Sequence, residues 1–121
     1  MKEFKLIVAG SRSFKDVDLF VRELNRLVDH DLDKCAVSIV SGMSRGADAM
    51  GYHFAKSNGI QCYEFPAHWD ILGKSAGYIR NEEMGKFADG LLAFWDGKSP
   101  GTKHMIEFMK AQRKPFHVVQ Y

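Results

Sequence analysis

Four short stretches of this chain each combine glycine, a small hydroxyl residue and a basic side chain: residues 10–13, 41–48, 67–80 and 96–102. Together they hold seven of the eleven glycines, and with them Arg12, Arg45, Lys74, Arg80 and Lys98. Glycine lets backbone approach a ligand closely, hydroxyls and main-chain N–H groups donate to oxygens, and a guanidinium or ammonium adds charge. That combination suits a phosphate or a carboxylate. Each stretch also leads into a segment of helical periodicity, and a helix start carries unpaired N–H groups and the positive end of the backbone dipole. Anions are favoured there, whereas Lys or Arg is disfavoured by about 0.3 kcal/mol or more unless an anion sits among them. In a single loop these residues are ordinary turn chemistry. Four such loops on one rim point to a ligand.

Ser11 follows Gly10 and either ends a turn or offers its hydroxyl and N–H to phosphate, with Arg12 as the charged clamp. Asp48 either complements the dipole of its own helix or accepts from a ribose hydroxyl. In Ser99-Pro100-Gly101-Thr102, Ser as N-cap and Pro at the first helical position are regular helix-start grammar. Gly101 is not, since in a helix it costs about 1 kcal/mol against Ala, and close approach of a ligand would account for it. Arg80 precedes Met84 and Phe87 by four and seven residues, so it shares their inward face. It must emerge over the rim, as a solvated side chain or, the favoured reading, as an anion ligand. His68-Trp69 stands in an eleven-residue connection, 67–77, long enough to form a flap over a site.

The elements that position these loops follow from apolar periodicity. Strands are expected over residues 4–9, 36–40, 60–65, 91–95 and 116–119. Helices are expected over 17–30, from 47 to an Asn58-Gly59 stop, from about 78 to 88, and from 99 to about 113. Five strands alternating with four helices, with no hairpin signal, mean βαβ units and a parallel sheet. Right-handed crossovers predict a doubly wound α/β sheet in the order 3-2-1-4-5, Rossmann-like, with helices on both faces. Ligands of such sheets bind beyond the carboxyl ends of the strands where the order reverses, here between strands one and four.

The 121 residues are the length of one domain, and 45% hydrophobic with 26% charged residues is a globular composition. The longest apolar run, 91–95, is five residues, against the roughly 20 that a membrane span requires. Cys35 and Cys62 lie far apart, which argues against a disulfide framework or zinc site and fits a reducing cytoplasm. A net charge of +2 does not by itself imply nucleic acid or membrane. Gly73-Lys74-Ser75 matches the tail of a P-loop, but the first glycine is replaced by His68 and the motif follows the third strand. No Gly-x-Gly-x-x-Gly follows the first strand, and the histidines lack metal-ligand spacing. No cofactor is expected.

Taken in order, Gly10-Ser11-Arg12, Ser41-Gly42-Met43-Ser44-Arg45-Gly46-Ala47-Asp48, Gly73-Lys74-Ser75-Ala76-Gly77 with Arg80-Asn81-Glu82-Glu83-Met84, Ala88-Asp89 and Ser99-Pro100-Gly101-Thr102 resemble the SLOG superfamily of Rossmann-like proteins. The likeness is to the small stand-alone branch of bacteria and their phages, and it runs over nearly the whole chain. It implies a nucleotide or nucleotide-derived ligand at the rim, held by a set that adds Asn81 to the residues above. In a phage setting it suggests capture of an immune signalling nucleotide. One related branch, the Lonely Guy enzymes, releases a base from nucleoside monophosphates, using a glutamate within three residues of a Gly-Thr pair and an arginine from the preceding helix. Arg80 resembles that arginine. After Gly101-Thr102, however, come Lys103-His104-Met105, and Glu107 stands two residues too far, about 200° around the helix. Another branch, DNA-processing protein A, is similar across residues 41–48, with Ser-Gly-x-Ala-Arg-Gly-Ile-Asp, and binds single-stranded DNA.

The resulting expectation is a single nucleotide-binding domain over residues 1–121, cytoplasmic and homo-oligomeric, that senses or sequesters its ligand. Its site comprises Gly10, Ser11, Arg12, Gly42, Arg45, Gly46, Asp48, Trp69, Lys74, Arg80, Asn81, Ser99, Gly101 and Thr102. The alternatives are a phosphoribohydrolase, with Arg80, Glu83 and Asp96 as catalytic candidates, and a single-stranded DNA binder. The last is disfavoured because Asp16, Asp18, Glu82 and Glu83 interrupt any basic track along the rim.

Overall fold

Within Lys2–Gly10, Leu6 and Val8 turn to one side, Ile7 and Ala9 to the other, and all four are buried. A strand covered on both faces belongs in the middle of a parallel sheet. The computed structural model, which describes residues 2–33 and 35–121, places it there. Strands β1 (Lys2–Gly10), β2 (Cys35–Ser41), β3 (Cys62–Glu64), β4 (Gly90–Trp95) and β5 (Phe116–Gln120) form one parallel sheet in the order β3-β2-β1-β4-β5. The expected α/β architecture and strand order are those observed.

Helices α1 (Val17–Arg26) and α2 (Ala47–Ser57) cover one face, where Phe20, Leu24, Ala47 and Ala55 pack on Leu6, Val8, Ile39 and Phe94. Phe94 stacks on Phe14 at 4.7 Å between centroids and touches Phe20 at 5.3 Å. Helices α4 (Ala76–Phe87) and α5 (Pro100–Ala111) cover the other face through Met84, Met105 and Met109, against Ile7, Val40 and Leu91. Each such side chain, taken fully out of water, contributes about 1.5–3 kcal/mol before the entropy of ordering it. Lys114 closes the second layer. Its ammonium donates to the carbonyls of Gly85, Lys86 and Ala88 at 2.8, 3.1 and 2.8 Å, at the negative end of α4.

Three elements differ from expectation. The helix expected over 17–30 is α-helical only to Arg26 and widens into a π-helical turn over Leu27–Asp31. The third strand is only Cys62–Glu64, because Ile60 is spent on ending α2: its N–H donates to the Ala55 carbonyl at 2.9 Å, across Gly59 with φ +65°. The connection 67–77 contains a fifth helix, α3 (Trp69–Leu72), and a 3₁₀ turn, Gly73–Ser75. Helix α4 therefore begins two residues earlier than expected, at Ala76, whose buried methyl extends the stripe of Arg80 and Met84 by one turn. Among the described residues, no helix is long and apolar enough to cross a membrane.

Candidate ligand-binding cleft

Strands β1 and β4 lie side by side in register, Gly10 opposite Phe94, yet their chains leave in opposite directions, to α1 on one face and α5 on the other. The crevice this leaves is bridged just above the sheet. The Ser11 N–H donates to the Phe94 carbonyl at 3.0 Å, and the Ser11 and Ser99 hydroxyls meet at 3.0 Å. Asp96 organises the loop after β4, its carboxylate accepting from the N–H groups of Ser99 and Lys98 at 2.8 and 2.9 Å and from the Ser99 hydroxyl at 3.1 Å. Those backbone donors, Ser99 first, hold its pKa down at about 2.

Because the Ser99 hydroxyl is engaged sideways, it does not cap α5, although Ser99 occupies the N-cap position. Gly46 at the start of α2 and Ser75 at the start of α4 provide no side-chain cap either. Helix α1, by contrast, is capped by Asp16, which accepts from the Leu19 N–H at 3.0 Å. Helices α2 and α5 thus begin with amides that no N-cap side chain satisfies, α4 runs on from the 3₁₀ turn, whose Gly73 carbonyl accepts from the Ala76 N–H, and the first turns of all three border one cleft of about 480 Å³.

Buried polar groups concentrate at this cleft. Ser11, Asp48, Arg80, Asn81 and Thr102 all line it, and Ser38 and Ser41 are the only other buried polar side chains among the described residues. Arg80 is 9% exposed. One Nη donates to the Gly42 carbonyl at 2.6 Å and its Nε to the Asn81 side-chain oxygen at 3.1 Å. The Asn81 amide in turn donates to the Gly101 carbonyl at 3.0 Å, tying the arginine to the first turn of α5. Burial lowers the Arg80 pKa and nearby Asp48 raises it. Desolvation pushes the Asp48 carboxyl up to about 6, against the charge of Arg80 and the N–H groups of Ser44 and Gly10, which favour ionisation. A Cβ at Gly42 would lie 2.6 Å from an Arg80 Nη and 2.7 Å from an Asp48 oxygen, so the absent side chain at 42 lets both groups converge.

Of the site residues expected from sequence, Gly10, Ser11, Arg12, Asp48, Trp69, Lys74, Arg80, Asn81, Ser99, Gly101 and Thr102 line this cleft. Gly42 and Arg45 line an adjoining hollow instead. Gly46 lines neither; with φ +82° and packed against the Ser11 carbonyl, it serves the turn into α2. Glu83 is exposed on α4 and lines neither hollow, and the Asp96 carboxylate is taken up by its own loop. Among the described residues, no group of three or more His, Cys, Asp or Glu is placed to share a metal ion.

Ser13, Ser44 and Pro100 line the cleft from within the expected loops 10–13, 41–48 and 96–102 although not named singly, whereas Met105 lies outside the expected loops. Sequence reasoning also missed His104, whose ring meets Tyr78 edge-on at 4.7 Å and lies 3.3 Å from the Asn81 amide.

Residues 4–71 match the model of a family described as YspA, cpYpsA-related SLOG. The chain belongs to that family. It is also 31% identical over 127 aligned positions to the Gene 61 protein of Mycobacterium phage D29, covering 97% of this chain and 95% of the phage protein. Its fold is similar to the X-ray structure of DNA processing protein A from Streptococcus pneumoniae, with a TM-score of 0.74 and 15% identity. That likeness covers 99% of this SLOG chain and 51% of the streptococcal one, so the chain spans about half the length of that protein. The agreement is one of fold.

Proposed function

We propose that this protein binds a small nucleotide or nucleotide-derived ligand in the cleft between β1, β4 and α4, and acts as a sensor or sequestering protein. The observation that carries the reading is the placement of Arg80. A buried guanidinium, pinned to Gly42 and Asn81, faces a cleft bordered by the uncapped starts of α2 and α5. Such a site has an anion as its natural occupant, and the family membership supports a nucleotide as its source. Tyr78 and Trp69 supply the apolar surface that a base or ribose requires. The similarity to a phage protein over nearly its whole length fits a sequestering role against a host signalling nucleotide. A homo-oligomer belongs to the same reading.

A panel of mono-, di- and cyclic nucleotides in thermal denaturation tests it. A ligand at 100 times its dissociation constant adds about 2.7 kcal/mol to stability, several degrees for a domain of this size. Arg80→Ala should abolish that shift while the protein remains folded. Unchanged affinity in the variant would remove the reading.

One observation favours a second reading, cleavage of the N-glycosidic bond of a nucleoside monophosphate. Asp48 is a buried carboxyl in the cleft with its pKa at about 6, suited to exchange a proton near neutrality.

A further inference from the structure

Arg12, Ser44 and Trp69 line the cleft and also a second hollow of about 340 Å³, completed by Gly42, Met43, Arg45, Pro66 and Ala67. The Arg12 guanidinium lies over the Trp69 ring, 5.7 Å from its centroid, and both side chains are exposed. Trp69 rides on a helix of only four residues, and its far edge rests on Gly77.

The two hollows repeat one chemistry. The larger offers Arg80, Lys74 and the amides at the start of α5 to a phosphate, and Tyr78 to a ring. The smaller offers Arg45 for charge, and Met43, Pro66, Ala67 and a face of Trp69 as apolar surface for a second ring. Arg12 lines both. A mononucleotide has one ring and one cluster of phosphate charge, and would leave the second hollow to water.

We infer that the site takes a dinucleotide, two nucleoside halves joined through one or two phosphates, with one half in each hollow and the linking phosphate at Arg12. This rests on the nucleotide reading of the larger hollow and specifies its ligand. Once the first half is seated, the second binds from an effective concentration set by a short linker, so two weak hollows make one tight site.

The test is calorimetric titration with AMP, GMP, CMP and UMP, and with the corresponding dinucleoside monophosphates and 5′,5′-linked dinucleoside diphosphates. At least one dinucleotide should bind about tenfold or more tightly than any mononucleotide, about 1.4 kcal/mol. Ala67→Trp, which fills the second hollow, should remove that gain and leave mononucleotide affinity unchanged. Arg45→Glu, at an exposed position, should reduce the gain without relying on a bulky side chain being accommodated. Equal affinity for single and double nucleotides, or a gain that survives both variants, overturns the dinucleotide while leaving the nucleotide reading in place. Tighter binding of a ten-residue oligonucleotide than of any dinucleotide overturns it in favour of a strand. Failure of every nucleotide to bind overturns the inference together with the reading beneath it.

Discussion

The guanidinium of Arg80 donates to the main-chain carbonyl of Gly42 at 2.6 Å, joining α4 to the loop after β2 across 38 positions of sequence. A side chain at 42 would intrude on this contact, since its Cβ would meet Arg80 and Asp48 together. Both obstacles are ends of side chains, so the backbone can stay in place while they move. Gly42→Ala should therefore weaken nucleotide binding about tenfold while the melting temperature changes by only a few degrees. Titration and thermal denaturation of the same preparation check this; a collapse of stability with affinity preserved in the remaining folded fraction would contradict it.

Gly101 has a different status. Nothing lies within 4 Å of a Cβ placed there, and its φ is not in the left-handed region. Helix propensity alone makes Gly101→Ala stabilising, by roughly 0.5–1 kcal/mol or less so near a helix end. If a phosphate approaches the α5 amides closely, the added methyl should lower affinity even as it raises the melting temperature. Opposite movement of these two quantities is the expected signature, and parallel movement would place the ligand elsewhere.

Asp48 makes stability depend on pH. Its folded pKa of about 6 stands above the ordinary 3.8, so between those values the folded protein holds a proton that the unfolded chain releases. Its contribution to stability therefore falls as pH rises from about 4 to about 6 and remains low above that, a difference on the order of 3 kcal/mol. Asn at 48 keeps the shape without the charge. The melting temperature of Asp48→Asn minus that of the native protein should grow from pH 4 to pH 7. A constant difference would show that burial of the charge is not what the carboxylate costs.

On the binding reading turnover is not expected, whereas the second reading would assign it to Asp48. Glu83 is turned to solvent, Asp96 is occupied by its own loop, and the glutamate of the related Lonely Guy motif has no counterpart near Thr102. Nucleoside monophosphates incubated with the protein for hours should release no base above background. Chromatographic detection of free base with ribose 5-phosphate, lost on Asp48→Asn or Arg80→Ala, would make the protein an enzyme.

The strands were legible because each is a short apolar run and each turn beyond it is marked by glycine, and their order followed from the right-handed crossovers that link them. Arg80 was legible for the same kind of reason: its spacing to Met84 fixes the face it occupies. Contacts between distant segments left less trace. Ser99 reads as an N-cap, yet its hydroxyl goes to Ser11 and Asp96, because the two loops meet only once the sheet has formed. Nothing in the spacing around Lys114 marks it as the group that closes α4. Helix α3 is shorter than the window over which periodicity can register, and Ile60 looks like strand until its role in ending α2 is seen.

The central position of β1 also governs how the chain acquires its site. On its β2 side, β1 finds partners about 35 positions downstream, as in the bond from Ser38 to Glu3; on its β4 side the link between Lys5 and Asp89 spans 84. During synthesis the N-terminal segments emerge first, so β1, α1, β2, α2 and β3 can assemble while the other edge of β1 still has no neighbour. Closing the larger loop is the slow, non-local event. Ser11, Arg12 and Asp48 belong to the half synthesised first, and Arg80, Asn81 and Thr102 to the half that follows. A nucleotide gripped by both sets can recognise only the finished fold. Its binding would draw the docking equilibrium to completion and would protect the otherwise exposed edge of β1 from pairing with another nascent chain.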